Sequence, residues 1–457
     1  MVRIIESGKK YIAKKLANQA VKLFGSASPK TLARLSSLLE RIASTKDAKE
    51  IAANMRKMFE TNHPMTRWFR RVAKEVSPKC RDGFISTAIM NSMFLGQPIR
   101  MKFKNEEGFY PPNLIVISVT MRCNFKCPGC WAMEYASKTP DLDMNLLDKV
   151  IREGRDEMGI YFWTITGGEP FVRKDLLDLY EKYHDCFFHI YTNGVLINDE
   201  VADRIAGLGN VAPMISVEGL KEATDRRRGE GAWDRITAVM KRLKERGVFF
   251  GFSATSTRHN VEETTSEKFI DKMMELGCMN GWYFQYIPIG HNPDPNLMLT
   301  PEQREMSRKN VYRLRETKPI LLADFWNDGP TVGGCMAGGK RYLHINANGD
   351  VEPCVFAHFA VDNIRDKSLR EILKSPFMTA VRNGIPYDGN LLRACMIIDR
   401  PEVLREHFAK FGARPTHIGA ESIVKDLAYQ IDEYARGVAN IFDHAWKEGD
   451  IQRIYGS

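Results

Sequence analysis

The chain has 457 residues, 44% hydrophobic and 27% charged, which excludes a long disordered chain and a fibrous one. Its formal charge of +9 is unevenly spread: residues 1–100 hold 20 Lys+Arg and 7 Asp+Glu (+13), and the remainder holds 46 and 50 (−4). There is no run of about 18 apolar residues to span a bilayer, and the N-terminus lacks the uncharged apolar core of a secretory signal. We therefore expect a cytoplasmic protein, with the basic segment placing it peripherally at the inner membrane face.

Residues 1–105 read as a basic helical region. Ile5, Ile12, Leu16 and Leu23 share one face at helical spacing, and Lys10, Lys14, Lys15 and Lys22 point largely elsewhere. Further helices fit Leu32 to Ile42 and Ile51 to Phe59, and Trp68, Phe69 and Val72 then sit among Arg67, Arg70, Arg71 and Lys74. From Leu114 the texture changes to strands alternating with helices. The predicted strands are Leu114–Val119, Tyr161–Ile165, Phe187–Tyr191, Val211–Val217, Val248–Ala254 and Trp282–Ile287, each followed by a helical stretch. Six β-α units at short spacing imply a parallel sheet, open or curled into a barrel, with functional residues at the C-terminal strand ends. Residues 326–400 break the alternation with three cysteines, many glycines and a hairpin signal at Asn348-Gly349-Asp350. Beyond Pro401 the pattern is helical again, with Leu427, Ile431, Tyr434 and Val438 on one face.

Nine cysteines, an odd number in a large chain, argue against a disulfide framework and for a metal or catalytic role. Cys123, Cys127 and Cys130 fall within eight residues, directly after the first predicted strand. Three thiolates on a tight loop can hold three irons of a cubane iron–sulfur cluster and leave the fourth open. Zinc is the competing metal, but it needs a fourth ligand and no Cys or His lies within a few residues of Cys130. Cys80, Cys186 and Cys278 sit singly in apolar or helical contexts that suit buried small hydrophobes.

The C-x3-C-x2-C loop resembles the hallmark of the radical S-adenosylmethionine superfamily, and with the six β-α units the resemblance covers residues 110–320. It implies an α/β fold, a partial (βα)6 barrel over residues 106–325 with helical N- and C-terminal extensions (1–105 and 401–457). It also implies a [4Fe-4S] cluster on Cys123, Cys127 and Cys130, with S-adenosylmethionine on the open iron. One-electron reduction, by a donor such as flavodoxin or ferredoxin, then yields a 5′-deoxyadenosyl radical that abstracts hydrogen from substrate. Thr166-Gly167-Gly168-Glu169-Pro170, after the second strand, is the second family mark; by resemblance Gly167, Gly168, Glu169 and Pro170 bind the cofactor, with the first three at its amino group. Asn193, Ser216, Glu218 and Ser253, at the next strand ends, are implied cofactor-binding residues; Thr192, Gly194, Thr255 and Arg258 accompany them. The residue before the third cysteine, often aromatic in the family, is Gly129 here, and Phe125 and Trp131 are the nearby rings that could replace it at the adenine.

Cys335, Cys354 and Cys395, with Gly349 five residues before Cys354, resemble the SPASM/twitch extension that holds auxiliary clusters (residues 326–400). A full extension has seven cysteines; three imply a single auxiliary [4Fe-4S] cluster that needs a fourth ligand, with His344 and His358 as candidates. The basic N-terminal segment and the apolar residues Met55, Met58, Trp68, Phe69, Phe84, Met90, Met93 and Phe94 suggest an anionic membrane surface and a lipid-chain substrate whose tails would be coupled at an unactivated C–H bond. The alternative is radical modification of a ribosomal peptide or protein side chain, though no appended leader-binding domain is evident. Nucleic acid is not expected, because no nucleic-acid module is recognisable. A non-enzymatic iron–sulfur scaffold would have no need of the Gly167-Gly168-Glu169-Pro170 turn.

Overall fold

A computed structural model describes residues 28–42, 53–54, 56–134, 140–290 and 292–447. The basic amphipathic segment from Ile5 to Leu23 lies outside the described residues.

Seven parallel strands form the body: β1 (Leu114–Thr120), β2 (Phe162–Gly167), β3 (Phe187–Thr192), β4 (Val211–Val217), β5 (Gly251–Ser256), β6 (Asn280–Gln285) and β7 (Leu321–Asp324). β1–β6 and their helices make the expected α/β partial barrel. Their strands are apolar and buried, as expected of a parallel sheet covered by helices. β7 was not expected: it is a four-residue strand that pairs with β6 after the long helix Pro301–Thr317, too short to read from periodicity. The fifth strand also starts later than predicted, at Gly251: Val248 and Phe249 are buried in the approach to the sheet, and Phe250 reaches the neighbouring chain only through its carbonyl, which accepts from Met279 N (2.8 Å).

The cysteine-containing extension continues this sheet. β8 (His344–Ile345) pairs parallel with β1, and β9 (Asp350–Glu352) folds back on β8 at the expected hairpin, where Gly349 takes φ +86°. β11 (Asp362–Asn363) closes this edge, while β10 (Phe359–Ala360) and β12 (Arg414–Pro415) form a separate pair. A buried polar chain ties extension to barrel: the His344 ring nitrogens lie 2.8 Å from Ser118 Oγ and 2.6 Å from Glu352 Oε2.

The helices of residues 64–107 sit at the opposite end from the strand C-termini. Trp68 Nε1 donates to Met279 O (2.6 Å), Ser77 N to Gly247 O (2.8 Å), Asn91 Nδ2 to Asp185 O (2.7 Å) and Arg100 to Gly159 O (2.8 Å). Each acceptor lies just before β6, β5, β3 or β2, so these helices seal the base of the barrel. The stretch Phe84–Leu95 is a π-helix whose Phe84 ring stacks on Phe249. Trp68, Phe69 and Phe84, expected to contribute apolar surface for a lipid substrate, instead spend their apolar faces on closing the floor. At the other end the C-terminal helix Ala428–Lys447 buries Ile431, Ala435, Val438 and Phe442. The buried Arg304 guanidinium pairs with Asp399, donates to Leu392 O and lies over the Phe442 ring, joining barrel, extension and C-terminal helix.

Candidate active site

A cavity of about 230 Å³ opens at the C-terminal strand ends. The loop after β1 forms one side and carries Cys123, Cys127 and Cys130 on the cavity wall. The loop is pinned from several directions. Gly168 N donates to Thr120 O (2.8 Å), Glu169 N to Arg122 O (2.8 Å) and Arg122 Nε to Asp141 (3.1 Å). Inside the loop Cys130 N donates to Cys127 O (3.2 Å), and Phe125 lies under the Arg235 guanidinium.

No three His, Cys, Asp or Glu among the described residues are grouped closely enough to hold one metal ion. Three thiols on one short loop suit a polynuclear cluster, which spreads its thiolates over several irons. Burial pushes the Cys127 thiol above its usual range, against the pull of Arg228. Such a thiol stays protonated until metal coordination removes the proton. The residues present thus fit a [4Fe-4S] cluster.

The second strand end is shaped by sterics. Gly167 adopts φ +131°, and side chains at Gly167 or Gly168 would run into the carbonyls of Thr120 and Arg122. Both glycines line the cavity. The Glu169 side chain does not. It is fully buried and accepts from Phe171 N (3.0 Å), Thr192 Oγ1 (2.7 Å) and Asn193 N (2.7 Å). Burial raises its carboxyl above the ordinary range, and these donors oppose that shift. Glu169 thus braces the third strand end, while Pro170 is buried beside it.

Asn193, so held, lines the cavity and donates to Asn124 Oδ1 of the cysteine loop (2.8 Å). Ser216 and Ser253, on adjacent strands, place their hydroxyls 3.2 Å apart in the wall. Glu218 is 1% exposed and faces inward on two arginines, at 2.6 Å from Arg227 and 2.6 Å from Arg228. It is these arginines that line the cavity. They escaped the sequence reading, although the run Arg226-Arg227-Arg228 after the fourth strand was a signal.

Much of the remaining wall is aromatic, with Tyr191, Trp282, Phe284, Tyr286, Phe325 and Phe356, none of these singled out from sequence as site residues. Phe125 and Trp131 also contribute. Gly129 takes φ +68°, and a Cβ there would meet the Tyr286 ring at 2.8 Å.

Cys335, Cys354 and Cys395 converge on a second cavity, of about 40 Å³. Burial pushes each thiol up to about 12, and each feels the charge of at least one of the others. These three also fit a cluster. Neither candidate histidine completes it. His344 is spent on Ser118 and Glu352, while His358 faces His417 (2.7 Å) and Val355 O (2.9 Å). Cys80, Cys186 and Cys278 are buried in the barrel core, as their apolar context suggested.

Residues 117–276 match the Radical SAM superfamily and residues 335–396 match SPASM, an iron–sulfur cluster-binding domain. Over 303 residues the chain is 27% identical to the PqqA peptide cyclase of Gluconobacter oxydans (62% of this chain, 83% of that protein). It is 24% identical over 293 residues to the AdoMet-dependent heme synthase of Methanosarcina barkeri (57% and 82%). Streptococcus suis SuiB, solved bound to its precursor peptide SuiA, shares the fold with a TM-score of 0.54 and 17% identity over 72% of this chain and 87% of that one. A lipid-chain substrate finds no support in these relatives. No described helix is long and apolar enough to cross a membrane.

Proposed function

Since this chain belongs to the radical S-adenosylmethionine superfamily and carries a SPASM extension, we propose that it abstracts hydrogen from a side chain of a peptide or protein. The observation that carries this reading is the large cavity. It is bounded by the first cysteine triad, and Phe325, Met336 and Tyr342 separate it from the second triad. The likeness to a peptide cyclase supports a peptide over a lipid.

S-adenosylmethionine held at a [4Fe-4S] cluster on Cys123, Cys127 and Cys130 would supply the one-electron radical chemistry. The chain's own residues position it. Gly167 and Gly168 let backbone approach the ligand, and Asn193 links that strand end to the cysteine loop. Arg227 and Arg228 suit its carboxylate, because guanidinium groups bind carboxylates through paired charge-assisted hydrogen bonds. Ser216 and Ser253 offer hydroxyls to its sugar. The aromatic wall keeps water from a reactive centre. Among the described residues, the wall holds no ionisable side chain apart from the two arginines, the cysteines and tyrosine phenols, which suits an uncharged aliphatic or aromatic group. A small flavodoxin- or ferredoxin-type donor belongs to the same proposal.

The test is anaerobic turnover of reconstituted protein with dithionite and S-adenosylmethionine. We expect 5′-deoxyadenosine, and deuterium carried into it from a library of side-chain-deuterated peptides. Deuterium arriving from perdeuterated phospholipid vesicles and from no peptide would overturn the peptide reading. Absence of 5′-deoxyadenosine would remove the chemistry itself.

A further inference from the structure

The wall between the two cavities is thin. Phe325, Met336 and Tyr342 line both. Tyr342 is 2% exposed, and its main chain is fixed on both sides by bonds to Met336 O (3.0 Å) and from Gly339 N (3.0 Å). Its hydroxyl oxygen accepts from Val355 N at 3.4 Å, and its O–H donates to Cys354 Sγ at 2.8 Å. Cys354 also receives Phe356 N (3.5 Å), while Cys395 receives the backbone amide of Ile397 (3.4 Å). Cys354 is thus set apart by a side-chain hydroxyl. The Tyr342 ring packs edge-on against Phe325, which in turn meets Phe284 and Phe356 of the large cavity.

A hydrogen bond to a ligand sulfur withdraws negative charge from a cluster and favours its reduced form, so it raises the reduction potential. We propose that Tyr342 is a positioning residue of the auxiliary site. Its hydroxyl donates to the Cys354 thiolate and sets the potential of that cluster, one ring away from the substrate space. This goes beyond the peptide reading and does not depend on it; it rests on an auxiliary cluster at the second triad.

The experiment uses the full chain with Cys123, Cys127 and Cys130 replaced by Ala, so that the remaining iron is auxiliary. After reconstitution, an EPR-monitored redox titration compares this parent with its Tyr342→Phe derivative. Equal iron in both, with a more negative midpoint in the derivative, is expected. Equal iron with equal midpoints overturns the proposal. Pulsed electron–nuclear double resonance of the parent in H2O and D2O covers the case in which Tyr342→Phe loads no iron. An exchangeable proton strongly coupled to the cluster is expected, and its absence overturns the proposal. A parent without iron removes the auxiliary cluster and the proposal with it, whatever the outcome of the deuterium assay.

Discussion

Gly129 and Tyr286 occupy one space: a Cβ on the glycine would stand 2.8 Å from the tyrosine ring. The cysteine loop and the segment just after β6 are thus fitted to each other, and the ring that borders the loop comes from a residue more than 150 positions away.

Substituting Gly129→Ala should therefore loosen the loop. A left-handed residue with a side chain costs of order 1–3 kcal/mol, and the Tyr286 clash adds to it. We expect less iron retained at the first triad, measured per chain after desalting. Adding Tyr286→Ala should recover part of that iron. If Gly129→Ala holds iron as the parent does, the tight fit is wrong.

Glu218 is the buried counter-charge of Arg227 and Arg228. Glu218→Gln should leave two partly buried guanidinium groups facing a neutral amide. Removing one partner of a buried ion pair typically costs about 3–5 kcal/mol. We expect a lower unfolding midpoint and weaker S-adenosylmethionine binding by calorimetry. Unchanged values in both would show that Glu218 is dispensable.

His189 is buried among the rings of Phe162, Tyr191 and Trp282 beneath the cavity, and burial lowers its pKa to about 3. The unfolded chain binds this proton near pH 6.5, and the folded chain does not. Stability from this residue is therefore full above pH 6.5 and declines as pH falls toward 3, by about 2 kcal/mol at pH 5. The stabilities of the parent and of His189→Gln, from denaturant unfolding between pH 7 and pH 5, should diverge by that amount across the range. Parallel profiles would contradict a buried neutral imidazole.

Iron counting separates the two triads. We expect about eight irons per chain in the reconstituted protein, and about four when Cys335, Cys354 and Cys395 are all replaced by Ala. A parent that already holds about four would leave the second triad without a cluster.

Trp68 fastens the floor of the barrel through its indole N–H on Met279 O. Trp68→Ala should cost about 3–5 kcal/mol of stability, as large-to-small core changes do. The rate of 5′-deoxyadenosine formation in the folded fraction should stay as in the parent, because the cavity lies at the other end of the strands. A selective loss of that rate at full stability would place these helices at the mouth after all.

Which features could be read from the sequence follows from how local they are. The spacing of Cys123, Cys127 and Cys130 after an apolar strand, the Gly167-Gly168-Glu169-Pro170 turn and the Gly349 hairpin each lie within a few residues, so backbone geometry and ligand chemistry announce them directly. The β-α alternation shows because covered parallel strands are apolar along their whole length. Other features depend on which distant segments meet. Glu169 and Glu218 were visible as polar strand ends, but only the fold turns their carboxylates inward, onto Asn193 and onto Arg227 and Arg228. β7 was invisible because four residues carry no period. Cys335, Cys354 and Cys395, spread over some sixty residues, converge only when the extension docks its β8 on β1. The +13 balance of residues 1–100 is fixed by sequence alone, yet it carries no direction. The tertiary structure places residues 64–107 beneath the barrel, because the loops entering β2, β3, β5 and β6 offer carbonyls there for Arg100, Asn91, Ser77 and Trp68 to bind.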